Sequence, residues 1–383
     1  MVKDASSREV KRDWLLLSRS GEVGKLTAVY DEHLGKVITD DLLRIEPRLS
    51  SDYGWLYAYM RTPTFYSIAR SAQYGHMIKH LEPAHVLSMP VVMPDPTVRV
   101  SISNKVDRAL QLRRESRRLQ AEADNKYARL LNPSGSPVRQ TAWQEVNASE
   151  FMSGRRRLEG QYFRSEFRAV EDLIRSAATR GIDIVGEVSK SVSVGQRFKR
   201  YFGPNGTPYR SAGELFDVNA PVTKRIYSAQ LVRPERYMLV PGQIIMACSG
   251  QTYGLLGRTM ILTKQHRGIF GSHDLIRIDP DNYKVRTGYL QTTLGHEKYG
   301  RPLVIRHASG TSIPHLDPVD IREVPIPRFD PNVEDEIAEL CERASELSDQ
   351  ADTLETEAID DAEKEIAEMT GIHAVEAEGG AWA

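Results

Sequence analysis

Between Arg197 and Tyr227 the chain spaces cations and aromatics as a polyanion-binding surface would. Arg197, Lys199 and Arg200 run into Tyr201 and Phe202, and Arg210, Lys224, Arg225 and Tyr227 follow. Guanidinium and ammonium groups neutralise phosphates and release their counterions, which gives an affinity that falls with salt. Reading base edges takes Arg, Lys, Asn or Gln held at a groove. Gly203-Pro204-Asn205-Gly206 forms a turn that could hold Asn205 there, and the Ser249–Gly254 loop could project Gln251 and Tyr253. Taken singly, each of these residues is as easily a solvated charge or part of a plain connecting turn. Taken as a cluster, they favour DNA. Arg155-Arg156-Arg157 reads equally as a phosphate contact or as a cap on the start of a domain.

Other chemistries lack their signatures. The sequence has no Walker-type phosphate loop, and Gly250, Gly254 and Gly257 do not fit the dinucleotide-binding glycine pattern. It has no Asn-Pro-Pro-aromatic or Asp-Pro-Pro-aromatic tetrad of the amino-methyltransferases, and no nucleophile elbow. Glu187-Val188-Ser189-Lys190 is not the acidic-x-Lys spacing of nucleases. His307 and His315 have no further ligand at metal spacing and read as structural histidines. No catalytic residue, metal or bound cofactor is therefore expected of this chain.

The elements that must position the cationic cluster are repeated. Asp41–Pro47, DLLRIEP, recurs 233 positions later as Asp274–Pro280, DLIRIDP. Ser20-Gly21 aligns with Ser249-Gly250, and Gly54-Trp55-Leu56 with Gly288-Tyr289-Leu290. His80-Leu81-Glu82-Pro83 aligns with His315-Leu316-Asp317-Pro318 at offset 235. Matches that keep their order while the offset drifts by loop insertions mark an internal duplication.

Each copy ends in a long helical segment. Val333, Ile337, Leu340, Ala344, Leu347, Ala351, Leu354 and Ala358 form an unbroken heptad seam. The same eight positions in the first copy are Val98, Ile102, Lys105, Ala109, Leu112, Ser116, Leu119 and Ala123, a weaker seam. Thr97–Asn132 holds 9 Lys/Arg against 4 Asp/Glu, while Asn332–Ala383 holds 2 against 17. Opposite charge and matching heptads predict an antiparallel coiled coil, with Ile102, Ala109, Leu112, Leu119, Ile337, Leu340, Leu347 and Leu354 as its contact residues. The alternative is two solvated helices, each packed on its own domain.

The net charge of -1 is thus the sum of opposed blocks, with Ser153–Arg236 carrying 16 Lys/Arg against 9 Asp/Glu. Such segregation suggests one part that faces a polyanion and another that faces protein. Segments such as IIMACSG, GLLGRTMILT, HDLIRID and VPIPRFDP read as short strands bounded by turn residues, which predicts irregular α/β domains. The expected layout is a truncated first domain at 1–96, a helix at 97–132 and a linker at 133–149. A second domain at 150–331, a helix at 332–371 and a flexible tail at 372–383 follow. With 40% hydrophobic residues, two distant cysteines, no membrane-length apolar run and a charged N-terminus without a signal-peptide core, a cytoplasmic protein is expected.

Two recognition domains, each followed by a long helix, resemble the specificity subunits of type I restriction–modification systems. Arg157–Phe163 looks like the family's domain-opening segment, and Cys248–Gly254 like its mid-domain loop. Ser309–Leu316 with Val324-Pro325-Ile326-Pro327 resembles the domain-closing signature. The resemblance implies a non-catalytic subunit that reads double-stranded DNA and directs an adenine-N6 methyltransferase, in two copies, to its site. It further implies S-adenosylmethionine in that partner, a restriction subunit with translocase activity, a role in antiviral defence, and a bacterial or archaeal host in which DNA holds the complex at the nucleoid. One departure stands out: the first copy aligns only from about Leu15 and shows no counterpart of 150–240, which either a naturally shortened first domain or a start assigned too far downstream would produce, and a two-part target does not follow from the resemblance alone. A rival function is a non-catalytic scaffold of a defence complex with little sequence choice of its own.

Overall fold

The computed structural model describes residues 9–72, 80–138, 141, 145–152, 155–220 and 224–371. The tail expected at 372–383 and part of the linker expected at 133–149 lie outside the described residues. In chain order the strands and helices are β1 (Leu15–Ser18), β2 (Leu26–Ala28), β3 (Leu42–Ile45), α1 (Tyr53–Tyr59), α2 (Pro63–Ser71), α3 (Pro83–Ser88) and α4 (Pro96–Leu131). Next come α5 (Ala148–Met152), α6 (Ser165–Ala177), β4 (Ile182–Ile184), β5 (Ser189–Val194), β6 (Phe202–Arg210), α7 (Ala212–Phe216) and β7 (Lys224–Ile226). The last are β8 (Ile244–Ala247), β9 (Thr259–Ile261), β10 (Phe270–Gly271), β11 (Leu275–Pro280), α8 (Thr287–Gly295), α9 (Arg301–Ile305), α10 (Pro318–Ile321), β12 (Pro325–Pro327) and α11 (Pro331–Thr370). No helix among the described residues is long and apolar enough to cross a membrane.

The chain divides into two compact units. One takes the described residues up to Glu115 and from Gln350 onward, the other those from Ser116 to Asp349. Each unit therefore holds its own stretch of α4 and of α11, and in each the two stretches run antiparallel. In the first unit Lys105 pairs with Asp361 at 2.8 Å and Arg113 with Asp352 at 2.6 Å. In the second, Ser116 Oγ donates to the Ala344 carbonyl at 2.6 Å and Lys126 pairs with Glu336 at 3.0 Å. The fold is thus mixed α/β, with two α/β units and an antiparallel pair of long helices. Prolines start both helices, where a missing N–H costs no hydrogen bond.

In the first unit β1 is the centre of a three-stranded antiparallel sheet ordered β2-β1-β3. Leu15 and Leu17 on one face meet Trp55, Tyr59 and Phe65, then Ile102 and Val106 of α4 and Ala358, Ala362 and Ile366 of α11. Thr62 caps α2 by accepting from Phe65 N at 3.1 Å, with Pro63 in the first turn. In the second unit β8 lies between β9 and β11, and the sheet extends to β5, in the order β5-β11-β8-β9.

The registers repeat with the sequence. Leu15 faces Ala28 on one side and Ile45 on the other, as Ile244 faces Ile261 and Ile278. The isolated bridge Ser20↔His80 likewise has its copy in Ser249↔His315. Gly54 in α1 and Gly288 in α8 mark the same close approach of a short helix to a long one, α4 in the first unit and α11 in the second. A Cβ on Gly54 would lie 2.6 Å from Ser103 Cα, and one on Gly288 would lie 2.2 Å from the Ala338 carbonyl oxygen. Gly288→Ala is accordingly expected to destabilise the second unit by about 2–3 kcal/mol in urea unfolding. Gly213→Ala, with nothing within 4 Å of the added carbon, is the control; equal effects of the two would show that the approach is not tight.

The units differ where the sequence departs from its repeat. The second unit adds α6, the strand β5 on the free edge of β11, and a further sheet ordered β10-β6-β7. Arg44 and Arg277 hold the same place in the repeated segment, yet Arg44 is exposed and Arg277 is 5% exposed. The Arg277 Nη2 donates to the Tyr237 carbonyl at 3.1 Å, and burial pulls its guanidinium down to about 10. In the first unit Val10, Trp14, Leu16 and Val29 form a small cluster on that face.

Candidate nucleic-acid interface

One corner of the second unit takes the start of the cationic run. β8 ends at Ala247 and β11 begins at Leu275, so Cys248 and Asp274 are neighbours, and Cys248 N donates to the Asp274 carbonyl at 3.1 Å. The first unit has the same bond, from Arg19 N to the Asp41 carbonyl at 2.9 Å. In the second unit the Asp274 carboxylate accepts from Ser272 Oγ at 3.1 Å and pairs with Arg200 at 3.4 Å. Arg200 also lies over the Tyr209 ring, 5.9 Å from its centroid. Burial holds His273 below its ordinary value; the Arg200 and Arg197 cations add to this and Asp274 opposes it. Arg197, Lys199 and Arg200 are all exposed, and Lys199 sits 5.1 Å from the centroid of the exposed Tyr201 ring. The corner therefore presents exposed cations beside the Tyr201 and Tyr209 rings.

The Gly203–Gly206 segment is a bulge in β6. Phe202 and Thr207 both face Ile226, so the four residues between them loop out of the ladder and leave Asn205 exposed. Glycine is required at Gly206, where an added carbon would meet backbone, while at Gly203 it would displace the exposed Tyr227 ring. A Cβ on Gly203 would lie 2.3 Å from the Tyr227 hydroxyl, and one on Gly206 would lie 2.7 Å from the Ile226 backbone. Tyr227 N donates to the Tyr201 carbonyl at 2.9 Å, which sets these two exposed tyrosines side by side along the backbone. Arg225 is exposed and donates to the Gly206 carbonyl at 3.3 Å. Lys224 is exposed and pairs with Glu214 at 3.2 Å. Arg210 is half-buried and donates to the Ala220 carbonyl at 2.6 Å, a bond that ties down its own loop.

The Ser249–Gly254 loop leaves the same corner. Gln251 is exposed with its amide donating to the Ser312 carbonyl at 3.2 Å, and Tyr253 is 85% exposed. Sequence patterns gave no sign of Arg301, whose guanidinium lies under this loop. It donates to the carbonyls of Thr252 at 2.9 Å and Gly254 at 2.8 Å.

Arg155 pairs with Asp317 at 2.9 Å and with Asp320 at 3.0 Å, and Arg157 also pairs with Asp320. This is the geometry of a cap on the domain start, while Arg156 is exposed. His307 is buried and pushed down to about 3 by that burial and by Arg306, which makes it a neutral packing residue against Tyr162. His315 forms backbone bridges to Ser249 and Ser309. Burial pushes the Cys248 and Cys341 thiols up to about 12, far from a reactive thiolate. Among the described residues no group of three His, Cys, Asp or Glu could hold a metal ion.

Along the helices, Ile102, Ala109, Leu112, Leu119, Ile337 and Leu347 are buried, and Leu340 and Leu354 are half-buried. Beside Leu354, Glu355 takes the fully buried position. Its carboxylate accepts from Tyr57 Oη, Arg61 and Arg113, and Arg61 Nη1 also donates to Tyr57 Oη at 2.8 Å.

The described residues thus form two repeated α/β units with an antiparallel pair of long helices, and the second unit carries a cationic corner. No family model matches the sequence, and no curated protein matches it. Among solved structures, the chain is similar to the type I restriction-modification system S subunit from M. genitalium, at 12% identity and a TM-score of 0.41, over 93% of this chain and 82% of that one. It is similar to the HsdS subunit from Thermoanaerobacter tengcongensis at 14% identity and a TM-score of 0.31, over 93% and 82%. A structure concerned with complex assembly and conformational transition of the type I R-M system matches at 15% identity and a TM-score of 0.29, over 92% and 82%. Identities of this size do not transfer a function, which has to be read from the chain's own residues.

Proposed function

We propose that this chain is a non-catalytic DNA-specificity subunit of a type I restriction–modification complex or a related methylation-linked defence complex. The observation that carries the reading is the corner at Asp274, where the exposed Arg200 of the Arg197–Arg200 run pairs with Asp274, whose carbonyl accepts from Cys248 at the root of the loop bearing Gln251 and Tyr253. The Asn205 bulge with Arg225 and Tyr227 extends that cationic and aromatic surface. Phosphates are held by the cations, and base edges are read by Asn205 and Gln251. The paired helices present their outer charges to two adenine-N6 methyltransferase subunits, which bring S-adenosylmethionine, and through them to a restriction subunit. The complex works in the cytoplasm, held on the nucleoid by its DNA.

Among the described residues the Asp274 corner and the Asn205 bulge both lie on the second unit, which favours a second, narrower reading, in which that unit alone reads sequence. Co-expression with an adenine-N6 methyltransferase subunit of the same host, followed by genome-wide mapping of N6-methyladenine, separates the two. A two-part methylated motif that disappears when this chain is omitted is the expected result if both units read. A single undivided motif assigns reading to the second unit. No motif dependent on this chain leaves it a scaffold and overturns the proposal.

A further inference from the structure

The turn that leaves the central strand is longer in the second unit than in the first. From β1 to β2 it takes seven residues, Arg19 to Lys25, and from β8 to β9 eleven, Cys248 to Arg258. The difference of four is the length of Gln251–Gly254, and the shorter turn carries no aromatic residue. The extra residues are held firmly. Arg301 is only 11% exposed, and its Nη2 donates to three successive alternate carbonyls, those of Thr252, Gly254 and Leu256, at 2.9, 2.8 and 3.1 Å. Its Nη1 is fixed by Glu297 at 3.0 Å. From the other side Gly250 N donates to the Pro314 carbonyl and Gln251 to the Ser312 carbonyl, both at 3.2 Å. In the first unit the residue before the matching helix proline is Thr62, which caps α2 instead. Insertion and brace occur together in one copy and are both missing from the other.

What this framework projects is apolar. Tyr253 is 85% exposed at the tip, and Ile313, on the loop that Gln251 grips, is 57% exposed. A rigid backbone under an exposed ring lowers the ordering cost of a contact, and a ring with two side-chain torsions adds little more. The corner that would bring phosphates to this tip begins one residue upstream of the loop, at Cys248 and Asp274.

We propose that Tyr253 stacks on a base at a kinked or unstacked step of the duplex, and that Arg301 is the positioning residue that holds it in place. The inference rests on the DNA-reading function proposed above and adds how one contact is made. Aromatic and apolar wedges of this kind unstack a base step, and stacking is indifferent to salt.

The full-length chain and a duplex that it selects from a randomised pool, with 2-aminopurine placed at successive steps, provide the test. Tyr253→Ala is expected to weaken binding roughly 10- to 100-fold with an unchanged salt slope. It should also abolish the change in 2-aminopurine fluorescence that the wild-type chain produces at one step. Tyr253→Trp keeps both. Arg301→Ala reproduces Tyr253→Ala, and the double variant is no weaker than either single one, because Arg301 acts through the tip. Should Arg301→Ala lower the melting temperature, Arg301→Lys, which keeps the charge but has no fork to reach the carbonyls of Thr252, Gly254 and Leu256, takes its place, with the same loss expected. Binding by Tyr253→Ala within twofold of wild type, or a shallower salt slope, overturns the inference. A wild-type chain that selects no duplex overturns the DNA-reading function itself, and the two failures are distinguishable.

Discussion

Replacing Arg197, Lys199 and Arg200 together with alanine weakens duplex DNA binding by about 10- to 100-fold near 0.1 M salt, and by the same factor for every sequence. Each exposed cation–phosphate pair contributes about 0.5–1 kcal/mol after screening, so three contribute roughly 1.5–3 kcal/mol. The more diagnostic quantity is the salt slope. Each phosphate left without its cation makes the slope of log affinity against log salt shallower by about 0.9, hence by roughly 2.7 for three. The fold should survive, because all three side chains are exposed, and Asp274 keeps its bond from Ser272 when Arg200 is removed. The Asn205→Ala variant is the contrast, since a base-reading residue changes which sequences bind while leaving the slope alone. Binding titrations over a salt series decide the matter. A triple variant with the wild-type slope would mean that these cations face solvent and not phosphate.

That surface was legible in the sequence as a composition but not as a geometry. Charge and aromatic content marked Arg197–Tyr227, yet nothing in the pattern says that Arg200 lies against Asp274, which is 74 residues away. Arg210 belongs to the same run by type, but its guanidinium turns to the Ala220 carbonyl. Arg301 is invisible for a related reason, since backbone carbonyls as partners leave no trace in residue types. The repeat was more readable. Turn residues and close-approach glycines fix the backbone locally, so DLLRIEP and DLIRIDP take the same register. Even there the environment is set by what packs on top, which is why Arg44 is solvated and Arg277 is enclosed.

The helix seam shows the same limit and leads to the largest expected effect on stability. A heptad reading selects Leu354, but α1 packs on this stretch as a third element, and Tyr57 and Arg61 turn the inward position over to Glu355. With its side chain 1% exposed, Glu355 is a buried carboxylate that Arg61 and Arg113 compensate. Removing one partner of such a group strands the opposite charges, and Glu355→Ala is expected to cost the first unit about 3–5 kcal/mol. Replacing Glu355, Arg113, Arg61 and Asp352 together with apolar residues should recover much of this, because the desolvation of the charges disappears with them. Burial alone would raise the Glu355 carboxyl, but Arg61 and Arg113 outweigh it and hold the group below the ordinary value of 4.5. Its stabilisation is therefore complete above that value and is lost as pH falls through the lower, folded-state value, where the unfolded chain binds the extra proton. Glu355→Gln should flatten this acid limb relative to wild type as well as lower stability at neutral pH. Hydrogen exchange of the α1 amides between pH 3 and 7 reads both effects in the right unit. Equal protection of Glu355→Gln and wild type at neutral pH would mean that the cluster contributes no net stability.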